Sequence, residues 1–127
     1  MSIVRRAGTT GVKRNRSARA LLAGASRSAV DEFYLALKRL YGSRLRDLIL
    51  YGSWARGAAR PDSDIDLAIV LSGRVNAGRE IDRLVNIQTD VNLKYNTVIS
   101  VYPVSMRRYS TVRSPLLLNV RHEGVAL

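Results

Sequence analysis

The sequence predicts a small α/β (α+β) domain: a mixed β-sheet with helices packed on one side. Three observations lead there. Apolar residues make up 46% of a 127-residue chain, enough for one core and too little for several. Two segments repeat apolar residues at helical spacing, and three others are aliphatic or β-branched runs of strand length. In chain order these read helix, strand, strand, helix, strand, helix, a pattern that requires a sheet covered by helices.

Taken in order, Ser28 is expected to cap a helix whose apolar face is Val30, Phe33, Tyr34, Leu37 and Leu40, with Gly42 as its stop. Residues 45–51 read as a strand ending at Gly52-Ser53. Residues 53–63 form a Gly/Pro/Asp-bearing turn region with a short helical turn near Trp54–Gly57. Residues 64–71 are a second strand, and 72–78 a Gly/Asn-containing loop. From Arg79 to about Lys94 the stripe Ile81, Leu84, Val85, Gln88 and Val91 predicts a helix. Residues 97–104 form a third strand, which Pro103 assigns to an edge or a strand end. Residues 105–114 read as a loop or short helix. Ser114-Pro115 then opens a last helix, with Leu117, Leu118 and Val120 on its buried side and Gly124 at its end.

Composition excludes whole classes of chemistry. Without cysteine there are no disulfides, thiolate metal sites or Cys nucleophiles, and one histidine builds no histidine-rich centre. No apolar run reaches membrane-spanning length and no signal-peptide core is visible, so a cytoplasmic chain with no membrane partner is expected. The formal charge is +11. The excess is concentrated at Arg5, Arg6, Lys13, Arg14, Arg16, Arg19 and Arg27, ahead of the first acid, Asp31. Residues 1–27 are therefore expected to be a basic, flexible tail and residues 28–127 the folded domain. A basic balance fits an anionic partner, nucleic acid among them.

One constellation carries chemistry. Leu50-Tyr51-Gly52-Ser53 is followed, across Ala55-Arg56-Gly57 and Ser63, by Asp64-Ile65-Asp66. On a strand, residues two apart share a face, roughly 6.5–7 Å apart, so Asp64 and Asp66 point together while Ile65, Leu67 and Ile69 face a core. Two close carboxylates raise each other's cost of ionisation, and a hard divalent cation, Mg²⁺ or Mn²⁺, relieves it. Gly52-Ser53 at a strand end lets backbone N–H groups approach an anion; Arg56 adds a phosphate-matching cation. Trp54 is placed either to stack on a base or to pack in the core. Each piece alone is an ordinary turn or a solvated strand face; their coincidence is what points to a bound triphosphate.

Gly52-Ser53, Ala55-Arg56-Gly57 and Ser63-Asp64-Ile65-Asp66-Leu67 resemble the signature of the minimal nucleotidyltransferases, within the polymerase-beta-like nucleotidyltransferase superfamily. Glu80-Ile81-Asp82-Arg83, the strand at 98–104, and Pro115-Leu-Leu with Glu123-Gly124-Val125 resemble the downstream part of such domains. The resemblance implies that fold over residues 28–127. It also implies phosphate binding by Gly52, Ser53, Arg56 and Ser63, and metal binding by the catalytic pair Asp64 and Asp66. The reaction implied is transfer of a nucleoside monophosphate, from ATP or another NTP, to a hydroxyl. Minimal members are often paired with a HEPN-domain toxin, acting as antitoxin by AMP transfer to it or by complex formation. A homo- or hetero-oligomer is expected, since one domain leaves the acceptor site to be completed.

Active members carry a third carboxylate on a later strand, and here Thr97-Val98-Ile99-Ser100-Val101-Tyr102 has none. Ser100 stands at the matching position, and Asp90 is the nearest upstream acid. Two competing functions follow: a catalytically weakened module that binds nucleotide or partner, and a nucleic-acid binder acting through the basic tail.

Overall fold

Helix α1 spans Gly24–Tyr41 in the computed structural model, which describes residues 16–127. Of the basic tail residues, Arg5, Arg6, Lys13 and Arg14 lie outside the described residues. Arg16–Leu21 form a 3-10 turn, and Arg19 ion-pairs with Asp31 and sits 5.5 Å from the Tyr34 ring centroid. α1 starts ahead of Ser28, which is exposed; the N-cap is Ala23, with no side-chain cap. Leu22 and Ser26 are buried just there, so tertiary packing, not a capping hydroxyl, sets the start. The stop is as expected. Gly42 takes φ +55°, a conformation costly for other residues, and its N–H donates to Lys38 O.

The sheet follows. β1 is Leu45–Tyr51, β2 Ile65–Leu71, and α2 Ala77–Tyr95 crosses to β3, Ile99–Ser105. The short helices α3, Met106–Thr111, and α4, Pro115–Glu123, lead to β4, Val125–Ala126. Strand order is β3-β2-β1-β4; β1 is antiparallel to β2 and β4, and β2 is parallel to β3. Pro103 lies on the edge strand β3, where its missing N–H costs no internal pairing. Ser114 caps α4 by accepting from Leu117 N, with Pro115 at the first turn, as its sequence predicts. α2 starts two residues before Arg79, because Asn76 supplies the cap by accepting from Arg79 N.

Each sheet face has its own core. α1 and α2 bring Val30, Phe33, Leu37, Leu84 and Val91 onto Leu48, Leu50, Ile65, Leu67, Ile69 and Ile99. The two long helices thus share one side, but the expectation that all the helices pack there is corrected, because alternate residues of β1–β3 are apolar on both faces and the second face needs its own cover. α3 and α4 cover the opposite side, where Tyr109, Leu117 and Val120 pack on Ile49, Ala68, Val70 and Val104. The predicted helix faces are wider than the buried ones. Leu118 on α4, and Ile81 and Val85 on α2, are exposed, because each helix contacts the sheet only along a narrow seam. No helix among the described residues is long and apolar enough to cross a membrane.

One buried polar contact ties α1 to α2. Tyr41 Oη donates to Glu80 Oε1 at 2.8 Å, and Arg83 lies 3.9 Å from the same oxygen. Burial and the Glu80 charge push the Tyr41 phenol above its usual range. Tyr41→Phe leaves the Glu80 carboxylate, 3% exposed, without its donor. The expected cost is about 1–3 kcal/mol, read as a lower urea midpoint with unchanged slope.

Candidate active site

The site lies where β1 ends against the start of β2. Pairing puts Tyr51 opposite Asp66 on one side, and Ser100 beside Asp66 on the other. Strand alternation turns Ile65 and Leu67 into the α1/α2 core, so Asp66 emerges on the α3/α4 side, in line with Ala68 and Val70. Asp64 immediately precedes β2 and is exposed; its charge reaches Asp66.

Gly52 is required by this arrangement. Its φ is +77°, and a Cβ there would sit 2.2 Å from Asp66 Oδ2. The carboxylate occupies the space a side chain would fill. Beyond Gly52 the chain makes one helix-like turn: Arg56 N donates to Gly52 O at 3.1 Å and Ala58 N to Ser53 O at 2.9 Å. That turn holds Ser53 and Arg56 next to Gly52.

Ser63 serves the loop itself. Its Oγ accepts from Arg60 N at 2.8 Å, and its carbonyl accepts from Trp54 Nε1 at 3.1 Å. Trp54 is buried in the α1-side core, which decides between its two sequence readings: it packs and anchors the loop rather than presenting a ring to a base. Asp90 is exposed on α2, the helix that covers the face opposite Asp66. The structure therefore gathers Gly52, Ser53, Arg56, Asp64 and Asp66 and leaves Asp90 apart. Ser100 occupies the strand position beside Asp66.

The acid that does reach the site is Glu123, the last residue of α4. Its Oε2 accepts from Gly52 N at 2.7 Å, and its Oε1 lies 3.1 Å from Arg56 Nη1. Spacing could not disclose a contact across 71 positions. A local signal exists, however: an acid in the last helical turn opposes the helix dipole and needs a partner elsewhere.

Electrostatics follow from this crowding. Asp66 is held above the usual carboxylate range, first by burial and then by Asp64, with Glu123 adding and Arg56 opposing. Tyr51 is pushed up to about 12 by burial, reinforced by Asp66, Tyr102 and Glu123. The donor set at the pair is hard oxygen, suited to Mg²⁺ or Mn²⁺. No group of three His, Cys, Asp or Glu side chains arranged to hold a metal occurs among the described residues.

The fold is α/β with an acid pair at a strand end, and comparison with known proteins gives the class. Residues 30–113 match the nucleotidyltransferase domain family, to which this chain belongs. A protein of Methanocaldococcus jannaschii, provisionally named a protein adenylyltransferase, is 42% identical over 100 residues, covering 78% of this chain and 94% of that one. A second protein of that organism with the same provisional description is 27% identical over 96 residues, covering 76% and 92%. Among solved structures, a toxin–antitoxin crystal structure with AMP-PNP matches with a TM-score of 0.53 at 18% identity, over 74% of this chain and 68% of that one. That likeness shows the same fold.

The raised Asp66 carboxyl has a pH consequence. Between the ordinary value of 3.8 and its raised folded value, the folded protein binds the proton more tightly than the unfolded chain. Stability therefore falls as pH rises through that window, and the loss persists above it. Asp66→Asn removes the loss. In the absence of divalent cations it is expected to melt above the parent at pH 7, with the gap closing toward pH 4 in scanning calorimetry. A variant that melts below the parent at pH 7 contradicts this origin of the shift.

Proposed function

We propose that this chain binds a Mg²⁺-bound nucleoside triphosphate, ATP, and transfers AMP to a hydroxyl of a partner protein. The observation that carries the reading is the packing of Asp66 against Gly52. It joins the acid pair to the amide-rich strand end in one site, in a chain belonging to the nucleotidyltransferase family. In this reading Gly52 N–H, the Ser53 hydroxyl and the Arg56 guanidinium hold phosphate oxygens, with Ser63 shaping the loop that presents them. A cation on Asp64 and Asp66 would supply charge neutralisation at the transferred phosphoryl group. The acceptor oxygen bonds to the α-phosphorus, the bond to the bridging oxygen breaks, pyrophosphate leaves, and the hydroxyl proton passes to water. Residues 28–127 carry this chemistry; of the basic stretch ahead of them, Leu22 and the start of α1 belong to the same fold.

The names of the M. jannaschii relatives support a protein acceptor, and the toxin–antitoxin neighbour supports a paired partner. By its resemblance to minimal nucleotidyltransferases, the partner is a HEPN-type toxin encoded nearby, and the setting is the cytoplasm. Ser100 beside Asp66 favours a second reading: with a hydroxyl where a third carboxylate is expected, the chain holds nucleotide or partner but turns over slowly, and neutralises by complex formation.

The test is incubation with α-phosphate-labelled ATP, Mg²⁺ and the protein of the neighbouring gene. Label is expected on the partner, reduced about 100-fold or more by Asp64→Asn or Asp66→Asn, since each removes a metal ligand. Tight, unlabelled complexes indifferent to both substitutions would establish the second reading instead. In the same assay, a chain lacking residues 1–15, which keeps Leu22 and the whole of α1, is expected to retain labelling. Loss of all activity on that deletion, with Asp64→Asn harmless, would move the function to the basic tail.

A further inference from the structure

Two donors converge on a single anion inside the candidate site, and that anion belongs to the protein. Gly52 N–H donates to Glu123 Oε2 at 2.7 Å, while Arg56 Nη1 lies 3.1 Å from Oε1 and 3.3 Å from Oε2. A backbone amide at a strand end and a guanidinium make a phosphate-binding pair, and carboxylate and phosphate oxygens compete for the same N–H groups. Glu123 gains little from its own helix. As the last residue of α4 it lies at the negative end of the helix dipole. It also lies close enough to Asp66 for the two charges to repel, its side chain being 20% exposed. The two donors are what hold it.

We propose that Glu123 is a displaceable internal anion that occupies the phosphate seat of the empty site, so that a triphosphate must expel its carboxylate from Gly52 N–H and Arg56 before it binds. The proposal rests on the nucleotide reading above for the identity of the ligand, though not for the contact itself. Expulsion is favourable because a triphosphate brings more charge and more acceptor oxygens to the same donors. It also removes a carboxylate from the neighbourhood of Asp64 and Asp66, where a cation then outweighs the remaining repulsion. A residue that only braced α4 against the loop would act the other way: removing it would loosen Arg56 and weaken binding.

The two roles predict opposite signs. The full chain, Glu123→Gln and Glu123→Ala are titrated by calorimetry with ATP plus Mg²⁺, and separately with inorganic tripolyphosphate without metal. If the seat is filled about nine-tenths of the time in the parent, both variants bind each ligand roughly tenfold tighter. The Gly52 amide gives an independent NMR readout. In the parent, tripolyphosphate replaces one anion by another and moves it little; in Glu123→Ala it shifts strongly downfield. Folded variants that bind equally or more weakly overturn the proposal and make Glu123 a brace. Tighter tripolyphosphate binding in the variants, with ATP bound by none of the three, keeps the seat and refutes the nucleotide reading. Failure of both ligands on all three proteins refutes both.

Discussion

The approach of Asp66 to the α-carbon of Gly52 is the constraint around which the rest is arranged. It exists because β1 and β2 pair with Tyr51 opposite Asp66, which brings the end of one strand against the beginning of the next. A side chain at residue 52 would collide with the carboxylate, and the left-handed backbone there turns the following residues back over the same spot. The strand register thus fixes the acid pair and the loop after Gly52 relative to each other without any direct bond between them. One register shift would send Asp66 into the aliphatic core and Ile65 into the site.

Burying a carboxylate beside another is costly, and the surrounding structure distributes that cost. Ile65, Leu67, Ile69 and Leu71 are fully buried against α1 and α2, so β2 is held by its apolar face while its polar residue stays at the rim. The buried contacts stabilise what the charge cluster opposes, a division common where a site needs groups that would not otherwise sit together. Arg56 opposes the charge on Asp66 and, with the Gly52 amide, pairs with the nearby Glu123 carboxylate, which offsets some of the repulsion.

Much of this was legible in the sequence. The alternation around Asp64-Ile65-Asp66 gave the sidedness of β2, Gly52 marked a close backbone approach at the strand end, and Ser114-Pro115 marked the start of α4. What remained hidden has physical reasons. β4 has two residues, too few for a periodicity, and exists only because the edge of β1 is free to receive it. Glu123 reaches Gly52 through the placement of α4 on the far face, which no local pattern encodes. Trp54 had two chemically reasonable roles, and only the depth of the core beneath the loop decided between them. The exposed Ile81, Val85 and Leu118 show the converse: helical spacing predicts a face, but the width of that face is set by how much sheet lies beneath it.

The closing of β1's edge by β4 has a consequence for how the protein comes into being. Gly52 and Asp66 leave the ribosome before Glu123 and the strand that follows it. Until Val125 and Ala126 pair with Leu50 and Ile49, the growing chain carries an open edge on β1. For as long as α4 is unfinished, the Gly52 amide and the Arg56 guanidinium therefore lack the carboxylate that pairs with them in the folded domain.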